Sequence, residues 1–245
     1  VLVDVDGTLL VGDEAVPGAG PILDRQRERG LRFRLTTNTT RMSMGAVAAR
    51  LGAAGVEALP GDILAPSILA RRRILGSGRT RAALLVADEA RVDFTGLDDV
   101  ELRPDWVVVG DLGRGFTWER LNAAFGWLRE GAGLIALQKN RYWNAGREGW
   151  VLDAGPFVCA LEYAAGVVAE VVGKPSRRFF DLALADLDLP ADAVLVVGDD
   201  AETDGAGGAA AGCRTALVRT GKYSAAGPTP FAPDLLVDSV ATLLS

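Results

Sequence analysis

Two aspartates two residues apart, Asp4 and Asp6, sit at the end of the apolar opening run Val1-Leu2-Val3, with Val5 between them and Gly7-Thr8 behind. The β-branched and apolar residues predict a strand buried on both faces, which Gly7 ends. Residues i and i+2 of a strand share a face, so this spacing directs both carboxylates into one site. Close carboxylates raise one another's pKa. A divalent cation relieves that cost, and so does a division of labour in which one acid attacks while the other carries a proton. An Asp-Gly turn with no chemistry is the plain alternative.

A second acidic group, Gly198-Asp199-Asp200-x-x-x-Asp204, follows a strand predicted at 193–197. Three carboxylates at a strand end and the following turn suit a hard cation and have no cheap structural explanation. The run Thr36-Thr37-Asn38-Thr39-Thr40 ends another predicted strand, at 31–35. Its hydroxyl and amide groups suit phosphate oxygens, and they suit a helix N-cap equally well. Lys174, between Gly173 and Pro175, places an ammonium just ahead of a helix, although most lysines are only solvated.

The elements that must position these residues alternate between strand and helix. After the first strand come helices at 17–29, 42–51 and 62–75, with the strand at 31–35 among them. Gly76-Ser77-Gly78 reads as a hinge. Beyond it, strands at 82–87, 106–109 and 134–137 alternate with helices at 118–130 and 156–165. Leu121, Ala124, Phe125 and Leu128 mark one face of the first of these helices. The stretches 139–144 and 149–157 read as loops. A helix at 177–187, the strand at 193–197, a small-residue helix ending at Gly212 and a strand at 215–218 complete the pattern. This is the signature of an α/β protein with a second, smaller α/β unit inserted. The expected division is a core of 1–76 and 170–245 and an insert of 77–169.

With 245 residues, 49 % of them hydrophobic, the chain can bury an ample core, and disorder is excluded. A net charge of −6 argues against nucleic acid as a partner, and no apolar run is long enough to span a membrane. The chain starts on a strand rather than a signal sequence. It opens on Val1 rather than Met, which leaves room for residues upstream. Cys159 and Cys213 show no motif spacing, so a reduced cytoplasmic protein is expected. The chain has no histidine, which removes Ser-His-Asp and Cys-His catalysis and histidine-ligated zinc in one step.

Asp-x-Asp-Gly-Thr after an apolar strand resembles the first motif of the haloacid-dehalogenase superfamily, most of whose members are phosphohydrolases. The Thr37 segment resembles the second motif, Val172-Gly173-Lys174-Pro175 the third, and the Asp199 cluster the fourth, in the family's order. An insert between the second and third motifs resembles the subgroup with a large α/β cap. The segments Gly155-Pro156-Phe157-Val158 and Thr220-Gly221-Lys222-Tyr223 resemble an animal branch of it. The resemblance implies a Rossmann-like, mostly parallel sheet with helices on both faces. It implies Asp4 as nucleophile and Asp6 as general acid/base. Thr37, Asn38, Thr39 and Lys174 would be the phosphate-binding groups. Magnesium would be held by the carboxylates of Asp4 and Asp199 and the main-chain carbonyl of Asp6, with Asp200 and Asp204 orienting waters and Lys174 from behind. The implied partner is a small phosphorylated substrate, with a homodimer as the candidate assembly. The ribonucleotide monophosphatases of this subgroup carry Asn-Pro-Asp where this chain has Lys139-Asn140-Arg141-Tyr142, so their substrate is not implied.

Two other classes use similar residues. A receiver-type signalling module phosphorylates an aspartate but needs no insert, and a phosphometabolite-binding regulatory protein would retain the fold without useful turnover. A dehalogenase attacking carbon would not need the acids around Asp199.

Overall fold

The computed structural model describes residues 1–144, 149–223 and 232–244. The chain divides into two compact units, one of Val1–Thr37, Met44–Leu64 and Lys174–Ser245, the other of Asn38–Ser43 and Ala65–Gly173.

The first unit begins with β1 (Leu2–Asp4), the short hairpin β2 (Leu10–Val11) and β3 (Glu14–Ala15), then α1 (Ala19–Glu28), β4 (Arg34–Thr36), α2 (Met44–Ala53) and β5 (Ile63–Leu64). Its later part carries α6 (Arg177–Leu187), β13 (Leu195–Gly198), α7 (Gly207–Ala210), β14 (Arg214–Val218) and β15 (Leu235–Val237). Six strands form one sheet in the order β15-β14-β13-β1-β4-β5, every pairing parallel. Leu2, Val3, Val196 and Val197 are buried at the centre, which explains why these strands read as continuous apolar runs. Leu2 pairs with Val196 and Val3 with Val197, so β1 and β13 end side by side. This register joins two acidic segments that are far apart in the chain, at the strand ends where open parallel sheets bind ligands.

The second unit runs through α3 (Pro66–Leu75), β6 (Arg81–Leu85), β7 (Asp98–Asp99), β8 (Trp106–Val109), α4 (Trp118–Arg129), β9 (Gly133–Ala136), β10 (Tyr142–Asn144), β11 (Trp150–Leu152), α5 (Ala154–Ala165) and β12 (Glu170–Val171). Its main sheet, β12-β9-β8-β6-β7, is also parallel throughout, and β10 and β11 make a separate antiparallel hairpin. Ala124 and Leu128 of α4 pack with Val107, Val109, Leu134, Val158 and Leu161, and Leu121 and Phe125 join that core.

The expected insert, 77–169, lies inside the second unit, which also takes in α3 and β12. Side chains of α3 tie it there. Ser67 donates to Asp93 at 2.8 Å, Arg71 to the Thr95 carbonyl at 2.5 Å, and Arg73 to Glu170 at 3.1 Å. The helix expected at 62–75 is shorter because Ile63 and Leu64 pair with β4, and the helix starts at Pro66, which has no N–H to lose there. The stretch 149–157 holds β11 and the start of α5 rather than a loop. Asp153 caps α5 by accepting from the Ala154 N–H at 2.7 Å. No helix among the described residues is long and apolar enough to cross a membrane.

Candidate active site

Asp4 is the last residue of β1 and is 5 % exposed. Asp199 follows β13 at 2 % and Asp204 lies in the next turn at 1 %. One carboxylate oxygen from each falls within 4.8 Å of the others. Asp204 reaches the strand end because Asp200 caps a π-helical turn, Ala201–Ala206, accepting from the Glu202 and Thr203 N–H groups at 2.9 and 3.1 Å. Lys174, 4 % exposed, donates to Asp4 Oδ1 at 2.5 Å and Asp204 Oδ1 at 2.6 Å. The Asp200 N–H donates to the other oxygen of Asp204 at 3.4 Å, so Asp204 is turned towards Lys174 with both oxygens engaged. The Lys222 N–H holds one oxygen of Asp199 at 2.6 Å.

Two glycines admit this packing. A Cβ at Gly198 would collide with the Asp204 carboxylate, and a Cβ at Gly7 with the Asp199 carboxylate. Gly7 also needs its φ of 90°, which turns the chain immediately after Asp6.

Burial, then the neighbouring acids Asp204 and Asp199, push the Asp4 carboxyl well above the usual range, against the pull of Lys174. Burial likewise raises Asp199, to about 6, with Asp204 adding to it and the Lys222 N–H opposing. Burial alone would lower Lys174, but Asp204 and Asp4 outweigh it and hold the ammonium charged. Burial would raise Asp200, yet its backbone donors and Lys222, whose ammonium lies 3.2 Å away, bring it below the usual range. Three carboxyl groups crowd about one ammonium in a buried, oxygen-rich cluster. That donor set fits a hard divalent cation such as magnesium.

Asp6 departs from the arrangement that its spacing suggests. The strand ends at Asp4, and the Asp6 carboxylate lies outside the buried group of acids, with its side chain 49 % exposed. Its oxygens accept from Arg50 at 2.7 Å and from the Thr37 hydroxyl at 3.2 Å. Thr37 follows β4, whose Thr36 pairs with Asp4, so β4 delivers it beside the first acidic segment. Asn38 and Thr39 belong to the second unit. Arg50 and Lys222 stand outside the sequence motifs. Arg50 reads in the sequence as an ordinary helix-surface charge, whereas Lys222 lies in the Thr220–Tyr223 run noted above.

A family profile for haloacid dehalogenase-like hydrolases matches residues 1–97, and a second, HAD-hydrolase-like, matches residues 171–243. The chain is 41 % identical to haloacid dehalogenase-like hydrolase domain-containing protein 2 of Mus musculus, over 92 % of this chain and 86 % of that one. It is 37 % identical to phospholysine phosphohistidine inorganic pyrophosphate phosphatase of Bos taurus, over 91 % and 83 %. The solved structure of 4-nitrophenylphosphatase from Thermotoga maritima superposes with a TM-score of 0.88 at 28 % identity, covering 99 % of this chain and 94 % of that one. The chain belongs to the haloacid dehalogenase-like hydrolases. Within them it falls with the phosphatases, having a Rossmann-like core and an α/β cap.

Proposed function

We propose that the protein is a magnesium-dependent phosphohydrolase of small phosphorylated substrates, working through an aspartyl phosphate on Asp4. The buried cluster of Asp4, Asp199 and Asp204 around Lys174 carries this reading. Asp4 and Asp199, with the main-chain carbonyl of Asp6, would hold the magnesium, and Asp204 positions Lys174. When bound, the ion supplies positive charge against the phosphoryl oxygens and the crowded carboxylates.

An oxygen of Asp4 attacks phosphorus in line. A new O–P bond forms while the bond to the leaving oxygen breaks. Asp6, as the carboxylic acid, gives its proton to that leaving oxygen. The resulting carboxylate then takes a proton from the water that cleaves the aspartyl phosphate. Lys174 stabilises the charge spreading onto the phosphoryl oxygens as a point charge. Thr37, Asn38 and Thr39, consecutive after β4, are assigned to phosphoryl oxygens. Discrimination between leaving groups is assigned to the insert, residues 77–169. Two free cysteines, Cys159 and Cys213, accord with a reducing, cytoplasmic setting.

The test is a panel of phosphomonoesters, pyrophosphate and phospho-amino acids, assayed with magnesium and again with chelator. Turnover confined to the magnesium arm supports the reading, and full activity in chelator overturns it. A stable phospho-aspartate without turnover would instead favour the signalling-module alternative.

A further inference from the structure

Arg50 lies on α2, outside every motif. Its guanidinium is shared by three acceptors. Nη1 donates to Asp6 Oδ1 at 2.7 Å, Nε to Asp13 Oδ1 at 3.0 Å, and Nη2 to the Gly12 carbonyl at 2.5 Å. Gly12 and Asp13 form the turn between β2 and β3. The Arg50 side chain is 23 % exposed, so the fork is largely sheltered although Asp13 itself stands in solvent.

A surface arginine with one carboxylate partner contributes little. Arg50 is placed differently, because it bridges a helix, a hairpin turn and the acid that follows β1. Three acceptors in fixed directions match the planar five-donor guanidinium, which a lysine cannot reproduce. Asp6, half-exposed and beyond the end of its strand, lacks the close packing that fixes Asp4. Arg50 and the Thr37 hydroxyl are what hold its two oxygens. An acid must stand within hydrogen-bond reach of the oxygen it protonates, so the hold on its side chain bears directly on rate.

We propose that Arg50 is a positioning residue for Asp6, its guanidinium tying the proton-transferring carboxylate to the β2–β3 turn. The inference rests on the reading of Asp6 as the group that protonates the leaving oxygen.

The experiment compares kcat/KM on two esters, because kcat/KM excludes the later hydrolysis of the phospho-enzyme, which is common to all substrates. Nitrophenyl phosphate releases a stabilised phenolate that needs little protonation. Glycerol phosphate releases an alkoxide that needs it fully. With magnesium present, Arg50→Met should lower kcat/KM on glycerol phosphate roughly tenfold or more beyond its effect on nitrophenyl phosphate. Arg50→Lys should recover part of that difference, and both variants should still melt cooperatively well above the assay temperature. An equal fall on both esters, or no fall, overturns the inference and leaves Arg50 a structural tether. Asp6→Asn, run alongside, separates the two levels. If it shows no preference between the esters, the reading of Asp6 itself fails. If it does and Arg50→Met does not, only the role of Arg50 fails.

Discussion

Asp4 and Asp6 are neighbours but one in the chain, and the fold treats them oppositely. Asp4 is 5 % exposed, packed beside two other carboxylates and fixed by the buried ammonium of Lys174. The Asp6 side chain is 49 % exposed and is held from the side by an arginine and a hydroxyl. For the nucleophile proposed above this kind of burial is a gain, since a fixed and desolvated oxygen needs no reorganisation to attack. The proposed proton carrier instead needs water beside it, because it takes its proton back from the water that cleaves the phospho-enzyme. The difference comes from a single change in backbone path. The strand ends at Asp4, and the next acid, two residues on, meets Arg50 and the Thr37 hydroxyl instead.

The strongest way to break this contrast is Asp4→Asn. The amide fills the same space but does not attack phosphorus, so turnover should fall below detection while the circular-dichroism melt stays cooperative. Near-normal rates in this variant would assign the nucleophile elsewhere. Asp6→Asn should act less completely, slowing both chemical steps by roughly 10²–10⁴-fold. Single-turnover kinetics would check this by separating formation of the phospho-enzyme from its decay. An effect confined to one step would remove one of the two proton roles.

Burial makes a further, smaller claim. Asp199 has a folded pKa of about 6 against 3.8 for an unperturbed carboxyl, so the folded state favours its protonated form. Without a cation, its contribution to stability is therefore present below about pH 4 and is lost as pH rises through about 6. Magnesium requires the carboxylate, so it should stabilise the protein more at about pH 7.5 than at about pH 5. The difference should be about 1.4 kcal/mol, or about 4 °C in melting temperature. Thermal melts with and without magnesium at the two pH values measure it, and equal shifts would mean that Asp199 is not a ligand.

The smallest expected effect sharpens the contrast from the other side. Lys139 pairs with Glu162 at 2.7 Å near the surface of the second unit. Lys139→Ala should cost less than about 1 kcal/mol by chemical denaturation and leave the ranking of substrates unchanged. A changed ranking would show that Lys139 meets substrate despite its partner.

The strongest elements were legible in the sequence because their signals are local. The strand Trp106–Val109 and the helix Arg177–Leu187 stand where their apolar patterns place them. Short elements were not legible. β5, β12 and β15 have two or three residues each, too few to display an alternation, and they exist because a neighbouring strand offers its edge. The hairpin of β10 and β11 was read as loop for the same reason, although it carries the exposed rings of Tyr142 and Trp150 in edge-on contact.

The sequence by itself determined the chemistry available: which acids, which lysine and which hydroxyl run, and the absence of any histidine, since these are properties of residue type and spacing. It also determined that acids stand at strand ends, because apolar runs stop at Asp4 and Asp199. The tertiary structure alone decided which acids share a pocket. Asp4 meets Asp199 and Asp204 through the pairing of β1 with β13, and Asp6 meets Arg50 through the packing of α2 beside the β2–β3 turn. Spacing along a strand fixes which face a side chain leaves from only while the strand continues. Past its last hydrogen-bonded residue, the neighbours brought in from distant parts of the chain choose the direction.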